Sequence, residues 1–155
     1  MPKLYIFAIC EKVVIDKEEK ASLISLFNTI SAQILPTNKD IPPNAVVAKE
    51  WWAFTSWEIE PGDIGKEYRQ MLQLLYPNGE PFGTPMGVSF SPQSGKTHQQ
   101  VTVNGMGFPI GQEGSYTLKM WLEYVGSTIF ESAPIIVNVN HQRLTDLPAN
   151  FVPLP

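Results

Sequence analysis

The sequence predicts an all-β protein, folded as a single antiparallel β-sandwich of about eight or nine strands. The strongest observation is the alternation in 114–124, where Tyr116, Leu118 and Met120 lie on one face while Thr117 and Lys119 lie on the other. A second is the supply of turn residues, 14 prolines and 11 glycines, which separate the apolar runs at short intervals. Predicted strands do not alternate with predicted helices along the sequence, which favours a sandwich over an α/β fold.

The first third of the chain predicts a hairpin followed by a long connection. Residues 4–15 are rich in strand-forming residues and end at the charged turn 16–20. We expect 21–35 to be one returning strand, because Asn, Thr and Ser in its second half disfavour a helix. Cys10 lies in the apolar part of the first strand and is expected to be a buried, unreactive thiol.

The middle of the chain contains one clear strand and one ambiguous segment. Residues 45–59 carry large apolar groups on both faces, which indicates a central or covered strand. The spacing of apolar residues in 64–76 fits either a helix or a strand. Because a hairpin turn, Pro77-Asn78-Gly79-Glu80, follows directly, we favour a strand, with 87–91 as the return.

The last third predicts the closing strands and a tail. Residues 99–108 alternate, 114–124 follow, and Pro134 opens a final strand that is expected to neighbour the first one. We place the domain boundary at residue 139, so that 1–139 form the β-sandwich domain and 140–155 an extended, proline-rich C-terminal tail. Its apolar residues, Leu147, Phe151 and Leu154, are the anchors with which the tail would dock onto a neighbouring subunit.

Composition and charge narrow the classes of partner. The net charge of −4 and the absence of a Lys/Arg cluster argue against nucleic-acid binding. No run approaches the roughly 20 apolar residues of a membrane span. One cysteine excludes an internal disulfide, and the N-terminal segment lacks the pattern of a secretory signal, so we expect a cytoplasmic protein.

The sequence offers no catalytic or metal-binding pattern. Gly95-Lys96-Thr97 is similar to the end of a phosphate-binding loop, but Phe90 stands where that loop requires glycine. His98 and His141 lie far apart, without a second ligand at metal-site spacing. We therefore expect no catalytic residue, no metal and no cofactor.

The tryptophans are the better candidates for a functional surface. Trp121 lies on the polar face of its strand, between Lys119 and Glu123, and a large aromatic residue there indicates cover by another element or a contact surface. Trp52 is the corresponding candidate in 45–59, and Asp63 is a carboxylate that could accompany either indole.

Three segments resemble a family of small bacterial and phage-associated proteins known as a domain of unknown function. They are KLYIFAICEKVVID near the N-terminus, LQLLYPNGEPF in the middle and GSYTLKMWLEYVGSTIFESAPIIVNV near the end. The resemblance covers roughly residues 4–139. It implies a β-sandwich and assigns no catalytic residue.

These observations lead to three functional hypotheses. The first is a non-catalytic binding or assembly module that forms a homo-oligomer or binds another protein. The second is a small-ligand or carbohydrate-binding domain that uses Trp52 or Trp121 as a stacking surface. The third, an enzyme, has the least support, because no combination of nucleophile, base or metal ligands is visible.

Overall fold

The computed structural model describes residues 1–34 and 40–145. The predicted tail anchors, Leu147, Phe151 and Leu154, lie outside these residues. The described chain contains no α-helix, and its only helical element is a 3-10 turn at Pro61–Asp63. No helix in this part is long and apolar enough to cross a membrane. The strands are β1 (Lys3–Ile15), β2 (Ala21–Leu26), β3 (Thr29–Ile34), β4 (Val46–Glu58), β5 (Tyr68–Leu75), β6 (Pro81–Phe90), β7 (His98–Pro109), β8 (Gly114–Tyr124), β9 (Ser127–Glu131) and β10 (Ile135–Arg143).

The strands form two sheets. The first sheet has the order β2-β1-β4-β7 and is antiparallel throughout. The second has the order β3-β10-β8-β5-β6, with β9 also paired to β8. All of its pairs are antiparallel except β3 with β10, which run parallel.

Strand β8 is the centre of the second sheet. Residues Thr117 to Tyr124 of this strand pair with β5 on one side. On the other side its first half pairs with β10 and its second half with β9. Residues 132–134 separate these two partners, and Pro134 lacks the N–H that a continuous ladder would need at this point.

The inner faces of the two sheets share one apolar core, to which β8 contributes the most buried residues, followed by β4, β5 and β7. Trp57 of the first sheet contacts Phe90 and Phe130 of the second, with ring centroids 6.3 and 5.7 Å away. The core also contains one polar link between the sheets. Gln70 Oε1 on β5 accepts hydrogen bonds from Thr55 Oγ1 (2.6 Å) and Trp57 Nε1 (2.9 Å) on β4.

A glycine permits the closest packing within the first sheet. Trp51 lies over Gly105 of β7, and a Cβ atom at Gly105 would be 2.1 Å from Cε2 of the indole. The indole Nε1 donates to the carbonyl of Gly107 at 3.0 Å. Glycine at this position therefore allows a side chain of the neighbouring strand to lie close to the backbone of β7.

The all-β prediction is confirmed, and several details differ. The described residues form ten strands, more than the eight or nine expected. The segment 21–35 is not one strand: Ser25 has a φ of 55°, and the chain leaves the first sheet after Leu26 and enters the second at Thr29. The first and last strands lie in different sheets and are not neighbours.

Two further predictions concern particular boundaries. The strand interpretation of 64–76 is confirmed, because β5 covers Tyr68–Leu75 and continues into the turn before β6. β10 extends to Arg143, so residues 140–143 pair with β3 and belong to the sheet instead of the tail. The predicted boundary at residue 139 missed them because polar residues fill both faces of this stretch.

Candidate functional site

The outer face of the second sheet carries an aromatic residue within a polar surface. Met120 and Leu122 point into the core, so Trp121 between them points outwards. Trp121 lies directly opposite Met71 of β5 on one side and Glu131 of β9 on the other. We call the outward-facing residues of this region the Trp121 face: Arg69, Met71, Lys119, Trp121, Glu123 and Glu131.

The indole of Trp121 is held in one orientation. Its Nε1 donates a hydrogen bond of 2.9 Å to Glu123 Oε1, two residues along the same strand. Because this bond satisfies the only polar atom of the side chain, the rest of the indole can offer only its ring surface to a partner. Trp121 is half-buried, so part of that surface is open to solvent.

A glycine in β6 makes room for the neighbours of Trp121. A Cβ atom at Gly87 would be 2.6 Å from Arg69 Nε and 2.8 Å from Met71 Sδ, so both side chains lie over this residue. Arg69 is directly opposite Glu123 in β8. The Trp121 face therefore combines an indole, a thioether and charges of both signs.

Two concave regions flank the Trp121 face. A cleft of about 580 Å³ lies at its Arg69 and Glu123 end, between residues 65–67 and the turn that joins β8 to β9. A smaller one of about 210 Å³ lies between Trp121, Lys119 and Pro134. A ligand, or a protruding side chain of a partner, could bind in either of these concave regions.

The turn at the rim of the larger cleft has an unfavourable backbone conformation. Val125 and Gly126 connect the paired residues Tyr124 and Ser127, with φ values of 50° and 75°. This is the pattern of a type I′ hairpin turn, which favours Asn-Gly. A β-branched residue rarely adopts positive φ. Val125 adopts positive φ and has 83% of its surface exposed. The turn therefore presents an apolar side chain to solvent at the rim of the cleft.

Trp52, the second tryptophan candidate, lies elsewhere. Trp51 and Ala53 point into the core, so Trp52 points to the outer face of the first sheet, opposite Cys10 and Asn104. Its Nε1 is buried and has no hydrogen-bond partner among the residues that the structure describes. The structure therefore does not bring Trp52 together with Trp121, Lys119 and Glu123.

Asp63 also lies apart from the Trp121 face. The carboxylate is fully buried, and Oδ1 accepts a hydrogen bond of 2.8 Å from the hydroxyl of Tyr68. The ammonium group of Met1 is 2.8 Å from the same oxygen, and the backbone N–H of Glu60 donates to Oδ2 at 3.0 Å. This region is thus a packed junction, in which Glu60 also pairs with Lys3. Asp63 has no exposed surface to offer a ligand.

This junction shifts two pKa values. Burial acts to raise the pKa of Asp63, but hydrogen bonds from the Met1 ammonium, the Tyr68 hydroxyl and the Glu60 N–H outweigh it, and the pKa lies below its usual value. Burial and the hydrogen bond to Asp63 raise the pKa of Tyr68. The ionised carboxylate and the neutral phenol therefore stabilise each other.

Sequence reasoning found half of the Trp121 face. Lys119, Trp121 and Glu123 share one side of one strand, so alternation alone groups them. Arg69, Met71 and Glu131 were missed because their place depends on which strands pair with β8. Within the described residues, no three His, Cys, Asp or Glu side chains converge as metal ligands.

Comparison with known families identifies a match over most of the chain. The model of a family of unknown function, DUF6941, matches residues 5–138. The chain belongs to this family. The DUF6941 match runs from β1 into β10 and includes the complete Trp121 face, in agreement with the resemblance that the strand motifs indicate. A comparison with curated proteins finds no match.

The turn at Val125 gives a first prediction. Val125→Asn creates the preferred Asn-Gly pair, so we expect the free energy of unfolding to rise by about 1 kcal/mol. Urea denaturation measures this change. Val125→Ala is the matched control, because alanine keeps the cost of positive φ. Equal stability of the two variants would contradict the strained-turn interpretation.

The Asp63 junction gives a prediction about pH. A lowered carboxyl pKa contributes stability above the unfolded-state value of 3.8 and loses it as the pH falls through the folded-state value. We expect Asp63→Asn to lower the free energy of unfolding at neutral pH by about 1–3 kcal/mol. It should also reduce the further loss of stability on acidification from about pH 5 to about pH 2.

Denaturation across this pH range tests the assignment, with Tyr68→Phe as the intermediate case. Tyr68→Phe removes one hydrogen bond, at a cost of about 1 kcal/mol, and leaves the carboxylate in place. Because the Tyr68 hydroxyl is one of the groups that lower the pKa of Asp63, the acid dependence of this variant should lie between that of the wild type and that of Asp63→Asn. The assignment is wrong if Asp63→Asn keeps the wild-type pH profile.

Proposed function

We propose that this protein is a non-catalytic binding and assembly module of the cytoplasm, built on a β-sandwich scaffold. In this proposal the Trp121 face binds another protein, and the chain forms a homo-oligomer. The observation that carries it is the composition of that face. Tryptophan, methionine and arginine are enriched at the centres of protein interfaces, and Trp121, Met71 and Arg69 occupy adjacent positions here.

Three features support this assignment. The orientation of Trp121 is fixed by Glu123, so little side-chain entropy is lost when a partner covers it. The neighbouring cleft can accept a protruding side chain. Val125 is held exposed at the rim of this cleft in a conformation that costs stability, and such strain is concentrated at functional sites.

Site-specific photo-crosslinking in cells that produce the protein tests the binding surface. A benzophenone side chain at Lys119, beside Trp121, is expected to give an adduct of discrete mass, because the partner covers this position. The same group at Ser22, on exposed β2 of the first sheet, is the positional control. The adduct should disappear when Trp121→Ala is added, provided that circular dichroism shows an intact fold.

Two results would oppose the proposal. Equal adducts at Lys119 and Ser22 would indicate non-specific contact. An adduct at Lys119 that persists in the Trp121→Ala variant would show that the indole does not carry the interaction.

A second function is favoured by one observation, the satisfied indole N–H of Trp121. A tryptophan that offers only its ring surface, with Thr117, Lys119 and Glu131 around it, provides a stacking platform with polar groups for a carbohydrate. For this alternative we expect signals on an array of oligosaccharides that vanish in Trp121→Ala and weaken in Trp121→Phe. No signal for the wild type would leave protein binding as the function of the face.

A further inference from the structure

The outermost strand of the second sheet has a free edge. β3 pairs with β10 through one edge only, and no other strand of residues 1–34 and 40–145 pairs with it. Asn138 N–H donates to Asn28 O, and Leu144 N–H donates to Ile34 O. The N–H and C=O groups of successive residues point to opposite edges of a strand. The backbone groups of the even-numbered residues of β3 therefore point towards β10. The N–H and C=O groups of Thr29, Ser31 and Gln33 therefore point away from the sheet.

This edge lacks the features that protect exposed strands. Residues 21–34 contain neither a charged residue nor a proline. Lysine, proline, bulges and twists are the usual means of preventing edge-to-edge association. The pairing of β3 with β10 also runs without a register shift, and its burial alternates strictly between exposed and buried residues.

The other edges of the two sheets do carry such features. β6 contains Pro81 and Pro85, and its register with β5 shifts. β2 is distorted at Ser25, which has a φ of 55°. β7 contains Gly107 at a φ of 88°, and its register with β4 shifts. β9, which among the described strands pairs only with β8, ends at the charged Glu131 and has a register shift against β8. β3 is thus the one edge of the described sheets that remains regular, uncharged and free of proline.

We propose that β3 pairs antiparallel with β3 of a second copy of this chain, joining the two second sheets into one across a two-fold axis. With the axis at Ser31, each Thr29 lies opposite the Gln33 of the other copy and Ser31 lies opposite itself. These are the residues whose backbone groups point outwards, so the pairing satisfies them. No charged residue opposes a like charge, and the strand is therefore complementary to itself.

A groove beside β3 supports the same partner. It has a volume of about 480 Å³ and is lined by residues 30–33 of β3 together with Val47, Lys49 and Ile110. The buried side of β3 faces it with Ile30 and Ala32. The neutral edge and its mostly apolar groove match a second neutral strand of the same composition. This inference rests on the assembly part of the proposed function and is independent of the Trp121 face.

A proline at Ser31 tests the pairing selectively. Ser31→Pro removes a backbone donor from the free edge, whereas the donors that pair with β10 belong to the even-numbered residues and stay intact. Ser31→Ala keeps the donor and is the matched control. Ser31→Lys keeps the backbone and adds a charge that would oppose its symmetry mate. Light scattering of the full chain at several concentrations measures the mass, and thermal denaturation verifies folding.

We expect a dimer for the wild type and for Ser31→Ala, and half that mass for Ser31→Pro and Ser31→Lys. If Ser31→Pro does not fold, Ser31→Lys decides the question. A wild-type monomer at all concentrations would overturn both the assembly proposal and this inference. A folded Ser31→Lys variant that remains dimeric would overturn only the pairing through β3. A chain ending at Thr145 that becomes monomeric, while both Ser31 variants stay dimeric, would identify the C-terminal segment as the contact.

Discussion

The hydrogen bond from Trp57 to Gln70 determines how the two sheets fit together. An indole N–H that is buried without an acceptor lowers stability, and the amide oxygen of Gln70 supplies the acceptor for Trp57 while also accepting from Thr55. Side chains alternate between the faces of a strand, so a shift of β5 by one residue would turn Gln70 outwards and leave Trp57 unsatisfied. The pairing of β5 is thereby restricted to one register.

The outer surface follows from this inner contact. Once Gln70 points inwards, Arg69 and Met71 must point outwards, next to the residues of β8. Arg69 and Met71 of the Trp121 face thus lie on the opposite side of β5 from Gln70. Local contacts then set the side-chain orientations on this face. Glu123 fixes the indole of Trp121, and Gly87 leaves room for Arg69 and Met71.

The sequence predicts those parts of the structure that depend on alternation and turns. The period of two in 116–124 is sufficient to place Lys119, Trp121 and Glu123 on one face, and Asn78-Gly79 is sufficient to identify the turn after β5. Pairing between distant strands leaves no local signal. The sequence therefore did not reveal the parallel pair of β3 with β10, or Met71 beside Trp121. The burial of Asp63 is hidden for the same reason, because its partners come from separate segments.

The pairing of β3 with β10 also has a consequence for synthesis of the chain. β3 ends at Ile34, whereas its only partner in the described sheets begins at Ile135, far along the chain. During translation, both edges of this uncharged strand therefore remain unpaired until β10 has been made. Contacts between such distant segments form slowly, and exposed neutral strands associate readily in the meantime. The synthesis of β10 ends this period, so substitutions that weaken β10 are expected to lower the folding yield through β3, although β10 is far from β3 in sequence.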